Sequence, residues 1–429
     1  MKKKSLLWIN VLLLMSGMFC SCDKDDEEVD LGEAKAVNML SDVQPIQLTE
    51  AQRVFVNDNN QFTLNFLKTV NETDRSGKSF IYSPLSITYV LGMVNDAAVG
   101  ETERELEQTL GFHEGGIQAV NDYCKNLIDH LPKVDPKVTL NIANALFVNR
   151  NKATLKIPYQ QDMTQYYDAK AENLDFYSSA TLDIINGWCN DHTNGMIPKI
   201  LDEVDPEVVT YLLNAIYFKA DWASKFEEKN TRNETFTTEN GGATLPLMHQ
   251  KVLIKYVKND TYSAVEIPYG NGMWSMDVLL PEEGRTTDDI IGYLAHVASP
   301  VDKARPYEVD LKLPRFETSS DTDEVEGSLI GLMQKMGIRL AFNGTMAEIP
   351  NMCERPVYIS MMRQKAKIKV NEEGSEAAAV TVAAANYGSA SPEPQVYPKA
   401  TFHANRAFVY VIREASSGVI LFVGKFTGR

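Results

Sequence analysis

The chain of 429 residues carries one segment of unusual composition near its carboxyl end. It runs Glu372-Glu373-Gly374-Ser375-Glu376-Ala377-Ala378-Ala379-Val380-Thr381-Val382-Ala383-Ala384-Ala385 and continues through Asn386, Tyr387, Gly388, Ser389, Ala390 and Ser391 to the pair Pro392 and Pro394. An alanine run favours helix, but Val380, Thr381 and Val382 oppose it and the prolines end it. The alternate residues Ser375, Ala377, Ala379 and Thr381 are small and uncharged, so that face fits between two strands without burying a charge. The segment therefore reads either as a loop that can also become a strand or as a plain Ala-rich surface loop; composition leaves both open.

Other chemistry is missing from the linear sequence. The six histidines sit in no HExxH or other ligand-like pair, and no Cys/His run has zinc spacing. There is no GxSxG elbow, Walker loop or GxGxxG, and Gly270-Asn271-Gly272 reads as a turn. No cofactor and no metal site is expected. An enzyme remains open only through a site assembled in three dimensions. A net charge of −16 and a pI near 4.9 disfavour nucleic acid, whose phosphates would be repelled.

The amino terminus reads as an export signal. Lys2, Lys3 and Lys4 precede an apolar run from Leu6 to Phe19 that is too short to span a bilayer. A small residue, Ser21, stands directly before Cys22, as lipoprotein processing requires. Residues 1–21 are then the signal peptide, Cys22 is the lipidated residue, and 22–47, rich in Asp and Glu, form an acidic solvated tether. A plain secretory peptide with an acidic start is the other reading. The acidic run after Cys22 resembles a surface-export signal of Bacteroidetes lipoproteins, which implies an outer-membrane lipoprotein facing outward, with periplasm or secretion as alternatives. Cys124, Cys189 and Cys353 remain after processing, and no disulfide framework is implied.

Residues 48–429 show no linker or repeat and are expected to form one domain. Helical spacing marks Asn60–Val70 and Ser86–Val94, and Thr102 with Glu105 suggests a capping box opening a helix over Glu103–Leu110. Further helical windows lie at Thr181–Thr193, Thr287–Val297 and Val325–Met336. Strands are expected at Val138–Ile142, Val208–Phe218, Tyr262–Ile267, Met276–Leu280, Val309–Leu313 and Lys367–Val370. Helices and strands are interspersed without regular alternation, so the class is α+β.

Several blocks, in order, resemble the serpin family of serine protease inhibitors. Phe80 to Ile87 resembles its early Ser-Pro-Leu-Ser-Ile signature. Asn141 to Phe147, Ile185 to Gly195, and Asn214 to Ala220 with Trp222, Phe226, Thr231 and Phe236 are similar to the next blocks. Leu313 to Phe316, Phe402 to Phe408 and Gly418 to Gly424 complete the series. The resemblance covers Asn57 to Phe426 and implies three β-sheets, eight or nine helices and an exposed reactive-centre loop. It implies a suicide substrate: a target protease cuts the loop and forms an acyl-enzyme, and the freed arm inserts into the main sheet.

By the same resemblance, Glu372, Gly374, Ser375, Glu376, Ala377, Ala378 and Ala379 form the hinge. Ser83, Ser86, Asn214, Trp222 and Gln364 control sheet opening, with Gln364 standing where the family usually has His. A plain core aromatic also fits Trp222. Counting from the hinge puts the cut at Gly388-Ser389, with Tyr387 and Ala390 as neighbouring options; counting back from Phe402 falls near Glu393-Pro394, where proline opposes cleavage. Partners are then elastase-like, subtilisin-like, chymotrypsin-like or papain-like proteases, met by a monomer that touches membrane only through its lipid. A non-inhibitory serpin acting as a carrier is the alternative.

Overall fold

The computed structural model describes residues 31–37, 43–113, 115–238, 241–297, 299–301, 303–375 and 396–429. Strands are numbered β1 to β16 and helices α1 to α8 along the chain. Cys22, Glu376, Ala377, Ala378, Ala379, Tyr387, Gly388, Ser389 and Ala390 lie outside the described residues.

The smaller sheet positions the site. Its six strands run in the order β11 (Phe316–Asp321), β12 (Met361–Val370), β13 (Gly374–Ser375), β5 (Thr210–Asp221), β3 (Thr139–Asn149) and β4 (Lys170–Leu174). β5 is apolar on both faces because both are covered. Alternate residues of β3 and β5 go to opposite sides: Leu146, Val148, Leu212 and Ile216 face the main core. Ala145, Phe147, Leu213 and Ala215 join a second cluster with Ile185, Trp188 and Cys189 of α6 (Ala180–His192).

The larger, ten-stranded sheet runs β14 (Lys399–His403), β10 (Arg305–Pro314), β7 (Gly241–Lys258), β8 (Tyr262–Tyr269), β9 (Trp274–Pro281), β15 (Phe408–Glu414), β16 (Ile420–Phe426) and β2 (Phe80–Tyr82). β6 (Arg232–Thr238) and β1 (Lys35–Ala36) flank β7. The three expected sheets are thus hydrogen-bonded into two, because β7 is 18 residues long and serves two partners in turn. Its first part pairs with β6 and its last residues pair with β8.

Eight α-helices occur among the described residues. α1 (Glu50–Thr73) begins ten residues before the expected Asn60, at a capping box between Thr49 and Gln52. α2 (Pro84–Ala97) is apolar nearly all round and buried, capped by Ser83 with Pro84 in the first turn. α3 (Gly100–Leu110) corrects the expectation at Thr102, which caps nothing. Its hydroxyl instead accepts the Glu348 amide at 3.1 Å, while Glu105 accepts the amides of Arg339 and Leu340 at 2.8 Å. The remaining helices are α4 (Gly116–His130), α5 (Ile157–Tyr167), α7 (Thr287–Leu294) and α8 (Ser328–Met336).

The compact unit runs from Leu31 to Arg429. Within the stretch read as tether, Lys35 and Ala36 pair with Val252 and Leu253, and Ile46 is buried in the core. Cys124, Cys189 and Cys353 are buried free thiols. No helix among the described residues is long and apolar enough to cross a membrane.

Candidate functional site: a sheet parted around its hinge

β5 and β12 run parallel and are paired directly from Tyr211–Met361 to Ala215–Lys365. That ladder then stops. The next ladder partner of β5 on this side is β13, with Ala220 opposite Ser375 and Asp221 opposite Gly374. β13 is antiparallel to both flanking strands, since Ser375 also pairs with Val370 of β12. Gly374 and Ser375, at the start of the Ala-rich segment, therefore already occupy a strand position between β5 and β12.

Local chemistry explains why the chain reverses there. The Asn371 amide donates to the Gly374 carbonyl at 2.9 Å. The Asn371 side-chain oxygen accepts the amides of Glu373 and Gly374 at 3.0 and 3.2 Å, an Asx-type turn. Gly374 has φ +155°, and a Cβ there would stand 2.1 Å from the Ala220 carbonyl oxygen, so only glycine lets the two backbones approach.

Side chains then clamp the turn. Glu372 is 3% exposed and receives Arg315 Nε at 3.1 Å, Arg315 Nη2 at 2.5 Å and Thr231 Oγ1 at 2.6 Å. Burial alone would raise its carboxyl; the Arg315 and Thr231 bonds outweigh it and hold the group below its ordinary value. Glu373 pairs with Lys225. Trp222 Nε1 donates to the Asn371 carbonyl at 2.9 Å, and its ring stacks on Tyr269 with centroids 4.3 Å apart at 8°. Ser375, 1% exposed, shares a 2.7 Å hydrogen bond with the Tyr269 hydroxyl.

A second cluster spans the lower sheet, where β5 and β12 are still joined. Gln364 lies opposite Asn214 in register. Its side-chain oxygen accepts the Ser83 amide at 3.0 Å, and its Nε2 donates to the Ser83 carbonyl at 2.9 Å and to Asn214 Oδ1 at 3.4 Å. Ser83 Oγ donates to the Leu421 carbonyl at 2.7 Å and reaches Ser86 Oγ at 3.1 Å. Asn214 Nδ2 donates to Asn144 Oδ1 at 3.0 Å. All of these groups are buried, so each depends on the others for its hydrogen bonds.

Of the residues singled out in the sequence, Ser83, Ser86, Asn214 and Gln364 meet in this one network. Trp222 does not join them: it follows the end of β5, eight residues and roughly 26 Å from Asn214 at ~3.3 Å per residue, and packs on the Asn371 turn. Sequence reasoning missed Arg315, Thr231, Lys225, Asn371 and Tyr269 as partners of residues 372–375. Arg315 and Thr231 lay inside blocks already noted, but nothing linear tied them to Glu372, since their partners are 57 and 141 residues away.

A family model described as serpin (serine protease inhibitor) matches residues 57–428. The chain belongs to the serpin family. It is 30% identical over 384 residues to Iripin-2 of Ixodes ricinus, covering 86% of this chain and 91% of that one. It is also 30% identical over 395 residues to Serpin B11 of Homo sapiens, covering 86% and 97%. Among solved structures it is similar to tengpin, a thermophilic serpin in the native state, with a TM-score of 0.77, 25% identity and coverage of 93% and 98%. Thyroxine-binding globulin in complex with thyroxine shares the fold, with a TM-score of 0.72 at 24% identity over 87% of this chain and 98% of that one.

Proposed function

We propose that this serpin is a single-use inhibitor that traps serine proteases, or papain-like cysteine proteases, as covalent acyl-enzymes. The observation that carries the reading is β13: the hinge is already seated between β5 and β12 at the top of a ladder that is closed only below Ala215 and Lys365. The protease nucleophile attacks a loop carbonyl, that of Gly388 in the preferred register. An ester or thioester forms, and the Ser389 amine leaves with a proton. The arm from Ser375 onward then extends β13 downward between its two neighbours, with Ser375, Ala377, Ala379 and Thr381 on one small, uncharged face. At ~3.3 Å per residue the arm up to Gly388 spans about 50 Å, carrying the attached protease along the sheet. Distorting the oxyanion hole of that protease slows deacylation by about 10²–10³ for each donor lost.

Small residues around Gly388 favour elastase-like, subtilisin-like or papain-like targets, and Tyr387 a chymotrypsin-like one. No Lys or Arg lies between Val370 and Pro398, which disfavours trypsin-like enzymes. We propose that the chain is exported and acylated at Cys22, which would put this activity on the outer face of the outer membrane, where proteases from outside the cell are met.

The test mixes the full-length chain, purified in detergent, with elastase, subtilisin, chymotrypsin and papain, followed by denaturing gels and intact mass. The expected result is a denaturant-stable adduct together with a released carboxyl-terminal peptide whose mass reads the cut bond. Complete cleavage by every protease with no adduct overturns the reading in favour of a non-inhibitory binding or carrier serpin.

A further inference from the structure

Strands β7, β10 and β14 bring together three groups that are far apart in sequence. His249 and His403 each stand opposite Lys312, on either side of β10, and Asp310 is two positions before Lys312 on the same strand. Strand alternation puts all four on one face. Lys312 is engaged elsewhere: its ammonium donates to both oxygens of Glu234, at 2.8 and 2.7 Å. Asp310 is left between two imidazoles, with His249 Nε2 at 2.6 Å from Oδ1 and His403 Nε2 at 3.4 Å from Oδ2. The rings meet edge to face, centroids 5.9 Å apart at 84°. His403 Nε2 is buried with no hydrogen-bond partner, which calls for an explanation.

Two imidazole nitrogens and a carboxylate oxygen, all within 4.8 Å of one another, are a transition-metal ligand set. An ion about 2.1 Å from tetrahedral ligands holds those ligands roughly 3.4 Å apart. The Asp310–His403 separation already has that value, and the 2.6 Å between Asp310 and His249 would have to open by roughly 0.8 Å. The two neighbouring histidines hold the Asp310 carboxyl below its ordinary range. The side chains of Asp310 and His403 are 35% and 31% exposed, which leaves an approach for the ion and a place for water as a further ligand.

We propose that His249, Asp310 and His403 bind a divalent transition-metal ion, with Zn²⁺ the species that best matches two imidazoles, one carboxylate and an open position. The ion would cross-link three strands. β14 is the edge strand of its sheet, joined to β10 by a five-residue parallel register, and it follows the cuttable segment in the chain. Metal occupancy therefore fastens the carboxyl-terminal anchor of that segment, whatever the segment does to proteases.

The test strips the untagged full-length chain with EDTA and titrates it with ZnCl₂ against a chromophoric chelator, alongside His403→Gln, His249→Gln and Asp310→Asn. One ion per chain is expected, with affinity at least tenfold lower in each variant whose circular-dichroism melt matches the unsubstituted chain. Hydrogen exchange on the unsubstituted chain gives a second readout that needs no variant: Zn²⁺ should slow the amides of Lys399 to His403. Absence of binding, affinity unchanged by the substitutions, or exchange in β14 indifferent to Zn²⁺ each overturns the assignment.

Discussion

Ser375 shows what one residue decides. Its side chain is buried between two strands against Tyr269, where the pocket accepts a hydroxyl and little else. Ser375→Arg places a charge at that depth with no carboxylate among its contacts, and an unpaired buried charge is not tolerated there. The expected outcome is that β13 leaves its place between β5 and β12, so that proteases still cleave the protein but yield mainly clean product on gels. An undiminished adduct in that variant would argue against arm insertion. At this scale the sequence was partly legible. Small alternate residues suggested an inserting face, of which only Ser375 lies among the described residues, and nothing linear tied Arg315, Thr231 or Lys225 to Glu372 and Glu373.

Between elements, Gln364 acts as a latch. It joins β12 to Ser83 at the start of α2 and to Asn214 on β5, so parting the two strands means breaking these bonds in the interior. Gln364→Ala leaves the buried Ser83 amide and the Asn214 carboxamide short of partners, at about 1–3 kcal/mol for each group left unsatisfied. We expect a lower melting temperature and faster hydrogen exchange in β5 and β12; a melt indistinguishable from that of the unsubstituted chain would mean that water replaces the glutamine without loss. Continuous apolar runs made β5, β8 and β9 readable, because strands covered on both faces announce themselves. β7 was not readable: its glycines, proline and mixed burial look like connecting chain, and only pairing with β6, β10 and β8 makes it a strand. The start of α1 was written in Thr49 and Gln52, a capping signal overlooked for want of apolar spacing beside it. Thr102 gave the same signal falsely, because its hydroxyl is used by Glu348 across the fold.

For the whole molecule, the ladder between β5 and β12 ends at Ala215 and Lys365, and the proposed insertion would continue it with strand contacts that the intact chain lacks. About fourteen added ladder positions at about 0.5–1.5 kcal/mol each amount to roughly 7–20 kcal/mol. One kcal/mol moves the melt of a 150–250-residue domain by about 2–4 °C and that of a larger one by less, so cutting the loop should raise the melting temperature by on the order of 10–20 °C. Calorimetry before and after limited proteolysis near Gly388 reads this directly. An unchanged or lower melt would show that the freed arm stays outside the sheet.

The short β13 also sets a clock. On the proposed mechanism two processes run side by side after the loop is cut: water attacks the acyl bond to free the protease, and the arm zips into the sheet. Zipping from separated strands must first find a register, whereas here Val370 and Ser375 already form a closed hairpin across the Asn371 turn. Hairpin closure takes about 1–10 μs when it starts from nothing, and that search is already over before the protease arrives. On that mechanism the outcome of each encounter is decided by how fast residues after Ser375 add to an existing end, and a protease would meet a protein with the first move of the race already made.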